Sequence, residues 1–233
     1  MKKTNPFKYY KTSPEIIKLA VMYYVRFPLS LRNVEDILHE RGIDICHETV
    51  RFWWNKFGTH FASGLKQRRS PYSHSNWRWN IDEVFVKING KQHYLWRAVD
   101  HEGTVLESFV SKKRDRRAAR KVLKMLVKKY GVPKEITTDK CPSYGAALKD
   151  LDLKHVQNST RYHNNQVENS HLHFRRRERG WNKFRSMGSL QKFTSIHASF
   201  LNHFNHQRHI ESRKQFKSLR NASLVSWQEI VMG

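Results

Sequence analysis

The pattern of hydrophobic and polar positions divides the chain into a helical beginning and a mixed continuation. In roughly the first quarter, apolar residues recur every three or four positions, the spacing of helices that bury one face. A helix is predicted from Ser13, because serine is a favoured N-cap and Pro14 fits the first helical position. Two more helices are predicted from Ser30 and from His47, with a turn at Gly42 between them. Such a pair is typical of helix-turn-helix, although an ordinary helical hairpin has the same pattern.

Beyond a basic stretch rich in serine, glycine and proline, the pattern changes to that of strands. Aromatic and β-branched residues fill 79–88, and Asn89-Gly90 is a strong hairpin signal before a return strand at 93–99. A third strand is predicted at 105–110. These three strands would form an antiparallel meander.

The remaining chain alternates between helices and strands. Asp115 can cap a helix that Gly131 ends. The buried strand 135–138 then delivers Asp139 at its carboxyl end, where open α/β sheets bind ligands. The later predicted elements are a helix at 143–151, a strand at 154–156, and helices at about 168–179 and 189–207.

This element order predicts an α/β fold. The sequence β-β-β-α-β-α-β-α-α is the layout of an RNase H-like mixed sheet, here preceded by an N-terminal all-α helix-turn-helix head. We predict a DNA-binding head (1–61), a basic linker (62–76), the RNase H-like core (77–210) and a C-terminal tail packing on the core (211–233).

The charge of the chain indicates its partner. Lysine and arginine total 44 against 20 aspartates and glutamates, a formal net charge of +24, which favours nucleic acid. A solvated basic surface of the ribosomal or histone-like kind is the alternative. However, 7 tryptophans, 9 tyrosines and 13 phenylalanines indicate a packed core. Cys46 and Cys141 fit no metal-pair spacing, so we expect free thiols in a reducing compartment. No apolar run is long enough to predict a transmembrane helix.

Three acidic residues are expected to converge in such a core. Asp82 lies within the first predicted strand, Asp139 at the end of the fourth, and Glu168 at the start of a helix. The first and fourth strands of an RNase H-like sheet are neighbours, so the two aspartates are expected to face each other. Carboxylates that repel one another this closely favour a hard cation, Mg²⁺ or Mn²⁺ rather than zinc. Two such ions would support an in-line phosphoryl displacement.

Each acid also has a structural interpretation. Asp139 could be a turn or cap residue, and the charge of Glu168 could simply favour a helix N-terminus. Glu83 is a rival ligand, although strand alternation directs it to the opposite face from Asp82. A zinc site is a further alternative. Its candidate ligands are His203, His206 and His209 near a helix end, and His171 and His173 near Glu168.

Basic and amide side chains suit contacts with DNA phosphates or base edges. The outward face of the third helix and the basic linker supply five of them. These are Arg51, Asn55 and Lys56 of the helix and Arg68 and Arg69 of the linker. Arg175 follows Glu168 by about two helical turns and could hold a substrate phosphate.

Four short motifs follow one another along the chain. They are Trp79-Asn80-Ile81-Asp82-Glu83, Tyr94-Leu95-Trp96-Arg97-Ala98-Val99-Asp100, Thr138-Asp139-Lys140 with Ser143-Tyr144-Gly145, and Asn164-Asn165 followed by Glu168-Asn169. Together they resemble the motifs of insertion-sequence-six family DDE transposases. The helical head and the basic segment 174–179 resemble that family too, so the likeness covers essentially the full length.

The resemblance implies a metal-dependent catalytic triad of Asp82, Asp139 and Glu168, served by Mg²⁺ or Mn²⁺, with two ions expected. Only 28 residues separate Asp139 from Glu168, fewer than in many DDE transposases. The resemblance also implies recognition of terminal inverted repeats and target DNA, a homodimer or higher oligomer on DNA, and a nucleoid-associated protein of the bacterial cytoplasm. The further basic residues expected at the DNA are Lys140, Arg176 and Arg177.

The leading prediction is therefore a transposase of a bacterial insertion sequence that cleaves DNA and transfers strands. One alternative is a catalytically silent helix-turn-helix protein or repressor derived from a transposase. Another is a metal-dependent nuclease of the same fold that cuts without joining.

Overall fold

The computed structural model describes residues 5–68, 78–139, 141–159, 165–179, 184–206 and 211–230, with the backbone alone at 68, 165, 166 and 168. The helices are α1 (Pro14–Arg26), α2 (Leu31–His39), α3 (His47–Arg68), α4 (Arg116–Tyr130), α5 (Pro142–Asp150), α6 (Asn165–Arg179), α7 (Met187–Phe204) and α8 (Arg213–Glu229). The strands are β1 (Arg78–Ile88), β2 (Lys91–Asp100), β3 (Val105–Ser111), β4 (Glu135–Thr138) and β5 (Gln157–Asn158). The predicted α/β class with a helical N-terminal region is confirmed.

The chain forms two compact units. Residues 1–70 and 199–233 form one, the helical unit, and residues 71–198 form the other, the sheet unit. Among the described residues, no helix has the length and apolar character needed to cross a membrane.

The helical unit begins with the capped helices that the sequence predicts. Ser13 accepts a hydrogen bond from the Ile16 N–H at 3.5 Å, and Ser30 forms a capping box with Asn33 at the start of α2. These caps satisfy backbone N–H groups that have no partner inside the helix. The first and second helices therefore begin where their capping residues predict.

The third helix is longer than its pattern suggested. Phe61, Ala62 and Leu65 are all buried, so the apolar face of α3 continues beyond the predicted end of the head. Residues 62–68 of the predicted linker are therefore helical, and residues 69–76 lie outside the described part of the chain. Continuous burial, which a basic and serine-rich composition conceals, explains the difference.

The predicted C-terminal tail forms α8. The ring centroid of Trp227 lies 5.1 Å from that of Phe61 and 5.2 Å from that of Phe200. Lys18 Nζ donates a hydrogen bond to the carbonyl of Gln228 at 3.1 Å. The tail thus packs on α1 and α3 as well as on the end of α7.

The sheet has the order β3-β2-β1-β4-β5. β1 pairs antiparallel with β2, β2 pairs antiparallel with β3, and β4 pairs parallel with both β1 and β5. Asn89 and Gly90 have φ angles of 50° and 76°, as the two central positions of a type I′ hairpin turn require. The meander and the β1–β4 neighbourhood are confirmed. The predicted strand at 154–156 is instead a 3₁₀ turn, and β5 follows it directly.

The two faces of the sheet are covered differently. Trp79 and Ile81 of β1 point into an apolar core formed with α4 and α5. Asp115 caps α4 by accepting from the Ala118 N–H at 2.9 Å, as predicted. α6 packs on β1 and β2. Side chains alternate along a strand, so even-numbered residues of β1 lie on the face opposite this apolar core.

Candidate metal centre and its basic surroundings

Two neighbouring strands bring Asp82 and Asp139 together. β1 and β4 run parallel, and their pairing ends with Ile81 beside Thr138. Asp82 is the next residue of β1, and Asp139 is the residue that directly follows β4. One carboxylate oxygen from each of Asp82, Glu83 and Asp139 lies within 4.8 Å of the others. We call these three residues the carboxylate cluster.

The carboxylate of Asp139 has donors at both oxygens. Its Oδ1 accepts from the Cys141 N–H at 3.0 Å, and its Oδ2 accepts from Arg114 Nη2 at 2.6 Å. Cys141 is the N-cap residue of α5. Asp139 therefore does form the turn after β4, as its structural interpretation held, while its second oxygen binds Arg114.

Glu83 is bound to the buried side of the cluster. The Tyr144 hydroxyl donates to its Oε2 at 2.7 Å, and Arg114 Nε pairs with its Oε1. Burial raises the pKa of Glu83, and the charge of Asp139 raises it further. The hydrogen bond from Tyr144 and the charge of Arg114 lower this pKa, but burial is the larger effect.

Strand alternation sends Glu83 to the α5 side, as predicted, yet one of its oxygens still reaches the other two acids. Among the described residues, β1 has no strand partner on that side beyond Ile81, because β4 ends at Thr138. Carboxylates from both faces of β1 can therefore approach one another beyond the last pair. Strand alternation alone does not predict this convergence.

Asp82 lies on the α6 side of β1. Its Oδ2 is 3.7 Å from His171 Nδ1. Burial, together with the charges of Arg97 and Arg175, lowers the pKa of His171 to about 3. The imidazole is therefore neutral at physiological pH, and it does not offset the negative charge of Asp82.

Arg97 is the β2 partner of Asp82 in the sheet register. It is fully buried, and burial lowers its pKa to about 10. Its charge helps to lower the pKa values of His171, His173 and His197, although burial is the larger cause in each case. A buried cation and three neutral imidazoles thus lie on the Asp82 side of the sheet.

The third predicted acid, Glu168, lies in the first turn of α6. Its side chain is outside the described part of the structure. Position 168 comes one turn before His171, so the two positions share a face of the helix. Its place in the triad stays a prediction.

The basic residues predicted after Glu168 differ in exposure. Arg175 is half-buried and donates to Glu178 Oε2 at 2.5 Å, and Arg176 is exposed. Arg177 is only 2% exposed and lies over the Phe193 ring at 5.6 Å. A guanidinium enclosed in this way cannot reach a phosphate at the surface, so its burial argues against the predicted DNA contact of Arg177.

The basic residues predicted on α3 are mostly exposed. Arg51 pairs with Glu48 at 2.9 Å, and Lys56 lies 5.0 Å from the centroid of the Tyr10 ring. Asn55 is exposed between them. The remaining predicted contacts, Lys140 and Arg69 and the side chain of Arg68, lie outside the described part of the chain.

The histidines proposed for zinc have other contacts. His203 Nε2 lies 2.8 Å from the Ser223 carbonyl, and His206 Nε2 lies 2.9 Å from the Ser223 hydroxyl. His209 is outside the described residues. Within the described residues, the only cluster of three potential metal ligands is the carboxylate cluster.

Sequence reasoning missed Arg114 and Tyr144 as neighbours of the acids. Arg114 lies in the run Lys112–Arg117, where nothing in the sequence separates it from the other basic residues. Arg97 carried a usable signal, because a charged residue at the centre of an apolar strand opposite Asp82 indicates a special environment.

Comparison with known proteins places this geometry in a family. A family model described as a DDE domain matches residues 76–207. The transposase for insertion sequence-like element IS431mec of Staphylococcus aureus is 35% identical over 179 residues, which cover 75% of this chain and 79% of that protein. This chain belongs to the insertion-sequence-six family of DDE transposases. Asp82, Glu83 and Asp139 all lie within the segment that the family model matches.

Two further proteins are similar to this chain, one in sequence and one in structure. The transposase for insertion sequence element IS257 in transposon Tn4003 of Staphylococcus aureus is also 35% identical, over 75% of this chain and 79% of its own. Among solved structures, the HTLV-2 integrase catalytic core domain in complex with magnesium superposes with a TM-score of 0.42 and 16% identity, over 61% of this chain and 97% of that one.

Proposed function

We propose that this transposase binds the terminal inverted repeats of a bacterial insertion sequence and joins their ends to target DNA by in-line phosphoryl transfer. The observation that carries the proposal is the convergence of the Asp82 and Asp139 carboxylates at the carboxyl end of β4, just beyond its parallel pairing with β1. In open α/β sheets, this is the edge where ligands bind.

The donor set fits a hard divalent cation. The ligand oxygens of the cluster lie within 4.8 Å of one another, and two unit charges at that outer limit repel by about 3.5 kcal/mol at an effective dielectric constant of about 20. A cation relieves this repulsion, and oxygen-only ligands favour Mg²⁺ or Mn²⁺. We propose a site for two ions, held by Asp82, Asp139 and Glu168. When bound, the ions supply activation of the attacking oxygen and stabilisation of the leaving oxygen.

The protein's own residues then bind and orient the DNA. Arg175 lies on α6 after Glu168, and its guanidinium can hold a phosphate oxygen in a charge-assisted hydrogen bond. The other proposed DNA contacts combine the exposed basic residues with those outside the described part of the chain. They are Arg51, Asn55, Lys56 and Arg68 on α3, Arg69 after it, Lys140 after β4, and Arg176 on α6. Arg177 is omitted because it is buried.

The proposed partner is DNA, both the terminal repeats and the target. A strand-transfer reaction must bring two DNA ends together, so we propose a homodimer or higher oligomer on DNA. The formal net charge of +24 supports a polyanionic partner such as DNA.

The test is the joining of pre-cut terminal-repeat DNA to a plasmid in the presence of Mg²⁺. Asp139→Asn should abolish joined product, because it removes a charged ligand from the cluster. Asp150→Asn is the matched control: Asp150 pairs with Arg116 at the surface of α5, so the same chemical change there should leave joining intact.

Undiminished joining by the Asp139→Asn variant would refute the site. Sequence-selective binding with no metal-dependent product from the wild-type protein would favour a silent repressor. Cleaved DNA without joined product would favour a nuclease.

A further inference from the structure

Arg114 links two of the three acids in the carboxylate cluster. Its Nη2 donates to Asp139 Oδ2 at 2.6 Å, and its Nε pairs with Glu83. Asp115, the next residue, is the N-cap of α4, so the start of that helix fixes the backbone of Arg114 beside the cluster. A cationic side chain therefore already neutralises charge where the proposed metal would bind.

The two acids hold Arg114 unequally. The Glu83 side chain is 1% exposed, and it also accepts a hydrogen bond from the buried Tyr144 hydroxyl at 2.7 Å. The Asp139 side chain is 35% exposed. A buried ion pair with an additional hydrogen bond is costly to break, whereas a partly exposed one is weak. Glu83 is the lasting partner of Arg114, and Asp139 is the exchangeable one.

We propose that Arg114 is a built-in counter-ion of the metal-free site and that a divalent cation displaces it from Asp139. The inference rests on the proposed function, since it assumes that the cluster binds metal. Glu83 is then the residue that retains the displaced guanidinium, and it is not itself a metal ligand. Repulsion between the guanidinium and a divalent ion on neighbouring oxygens makes the two compete.

The opposite role would give an effect of opposite sign. Carboxylates that bind metals commonly accept a hydrogen bond from a supporting residue, and removal of that residue weakens metal binding 10- to 100-fold, roughly. If Arg114 only positioned Asp139, its loss would weaken metal binding. If Arg114 competes with the metal, its loss strengthens metal binding.

The experiment is a titration of the full chain with Mn²⁺ alone, without DNA, followed by calorimetry and by the electron paramagnetic resonance of free Mn²⁺. For Arg114→Gln we expect the apparent Kd to fall about 10-fold, equivalent to about 1.4 kcal/mol. Arg114→Met, which keeps most of the side-chain length without the charge, should change the Kd in the same direction and covers the case in which Arg114→Gln does not fold.

Arg116→Gln is the matched control. It removes an arginine two positions away whose partner, Asp150, lies outside the cluster, so the Kd should be unchanged. Asp139→Asn shows whether Mn²⁺ binds at the cluster at all.

An unchanged or weaker Kd in the folded Arg114 variants, with binding lost in Asp139→Asn, overturns this inference and leaves the proposed function intact. Equal binding by the wild type and Asp139→Asn, or binding by neither, shows instead that the proposed metal site is wrong.

Discussion

The two faces of β1 give adjacent acids different surroundings. On the α5 face, Glu83 is buried, accepts a hydrogen bond from Tyr144 and pairs with Arg114. On the α6 face, the Asp82 side chain is 21% exposed and lies 3.7 Å from the neutral imidazole of His171. The alternation of a single strand thus separates an acid engaged in a structural ion pair from one that remains accessible to a cation.

The largest expected difference between the two acids is in activity. Asp82→Asn should reduce DNA joining by more than about 100-fold, beyond the usual loss for a supporting residue. Glu83→Gln should retain joining within about 10-fold, but it leaves Arg114 without its buried partner and should lower the free energy of unfolding by about 3 kcal/mol. Joining assays and denaturant unfolding of both variants measure the contrast. If Asp82→Asn and Glu83→Gln lowered DNA joining and the free energy of unfolding by similar amounts, the proposed division of roles between the two faces would be contradicted.

The α6 face should also dominate the acid sensitivity of the protein. Burial lowers the pKa of His197 well below its ordinary value, and the charges of Arg97, Arg177 and His173 add to this. The unfolded state therefore binds a proton that the folded state does not, and stability falls as pH drops below about 6.5. His197→Phe should remove about 1.4 kcal/mol per pH unit from that dependence.

The measurement is urea unfolding between pH 7 and pH 5, with His39→Phe, an exposed histidine of α2, as the control. A slope that is the same in wild type and His197→Phe would show that His197 takes up its proton in the folded state.

The α5 face should titrate with the opposite sign. Burial raises the pKa of Glu83, so the folded state holds the proton of Glu83 more tightly than the unfolded state does. The stability that this proton supplies is fully present below about pH 4.3 and is lost as pH rises through the pKa of folded Glu83. The hydrogen bond from the Tyr144 hydroxyl offsets part of the cost of burying the Glu83 carboxylate. Tyr144→Phe should lower the free energy of unfolding by about 1–2 kcal/mol.

Tyr130→Phe is the comparison for Tyr144, because its hydroxyl donates to the Leu106 carbonyl at 2.9 Å in a less buried place. We expect about 0.5–1 kcal/mol there. A larger effect at Tyr130 than at Tyr144 would contradict the account of Glu83 as a buried, hydrogen-bonded acid.

The smallest effect should separate two neighbours on α6. Arg176→Gln should reduce the slope of log affinity for DNA against log salt by about one, because one phosphate contact is lost. Arg177→Gln should leave that slope unchanged and should destabilise the fold, since Arg177 is enclosed against Phe193. Binding measurements between 50 and 200 mM salt test both; a lower slope for Arg177→Gln would reverse the assignment.

The sequence predicted what depends on local rules. Ser13 and Asp115 cap their helices, Asn89-Gly90 forms the hairpin turn, and β1 lies beside β4 as the strand order of an RNase H-like sheet predicts. The approach of Asp82 to Asp139 follows from that neighbourhood. Each of these predictions requires only propensity, periodicity or strand order.

Partners that are distant in the sequence were not predictable in this way. The approach of Arg114 to Asp139 depends on where the chain after β3 enters α4, which no periodicity encodes. The burial of Arg177 depends on the packing of α6 against Phe193, and a run of three arginines conceals which one is enclosed. Charge patterns therefore identified the DNA-binding class but not the role of each cation.

Metal binding by Asp82 and Asp139 is tested most directly by the anomalous scattering of a crystal soaked in Mn²⁺. We expect a peak within about 2.0–2.3 Å of an oxygen of Asp82 and of an oxygen of Asp139. No peak at the carboxylate cluster, or a peak bound by Glu83 without Asp82, would contradict it.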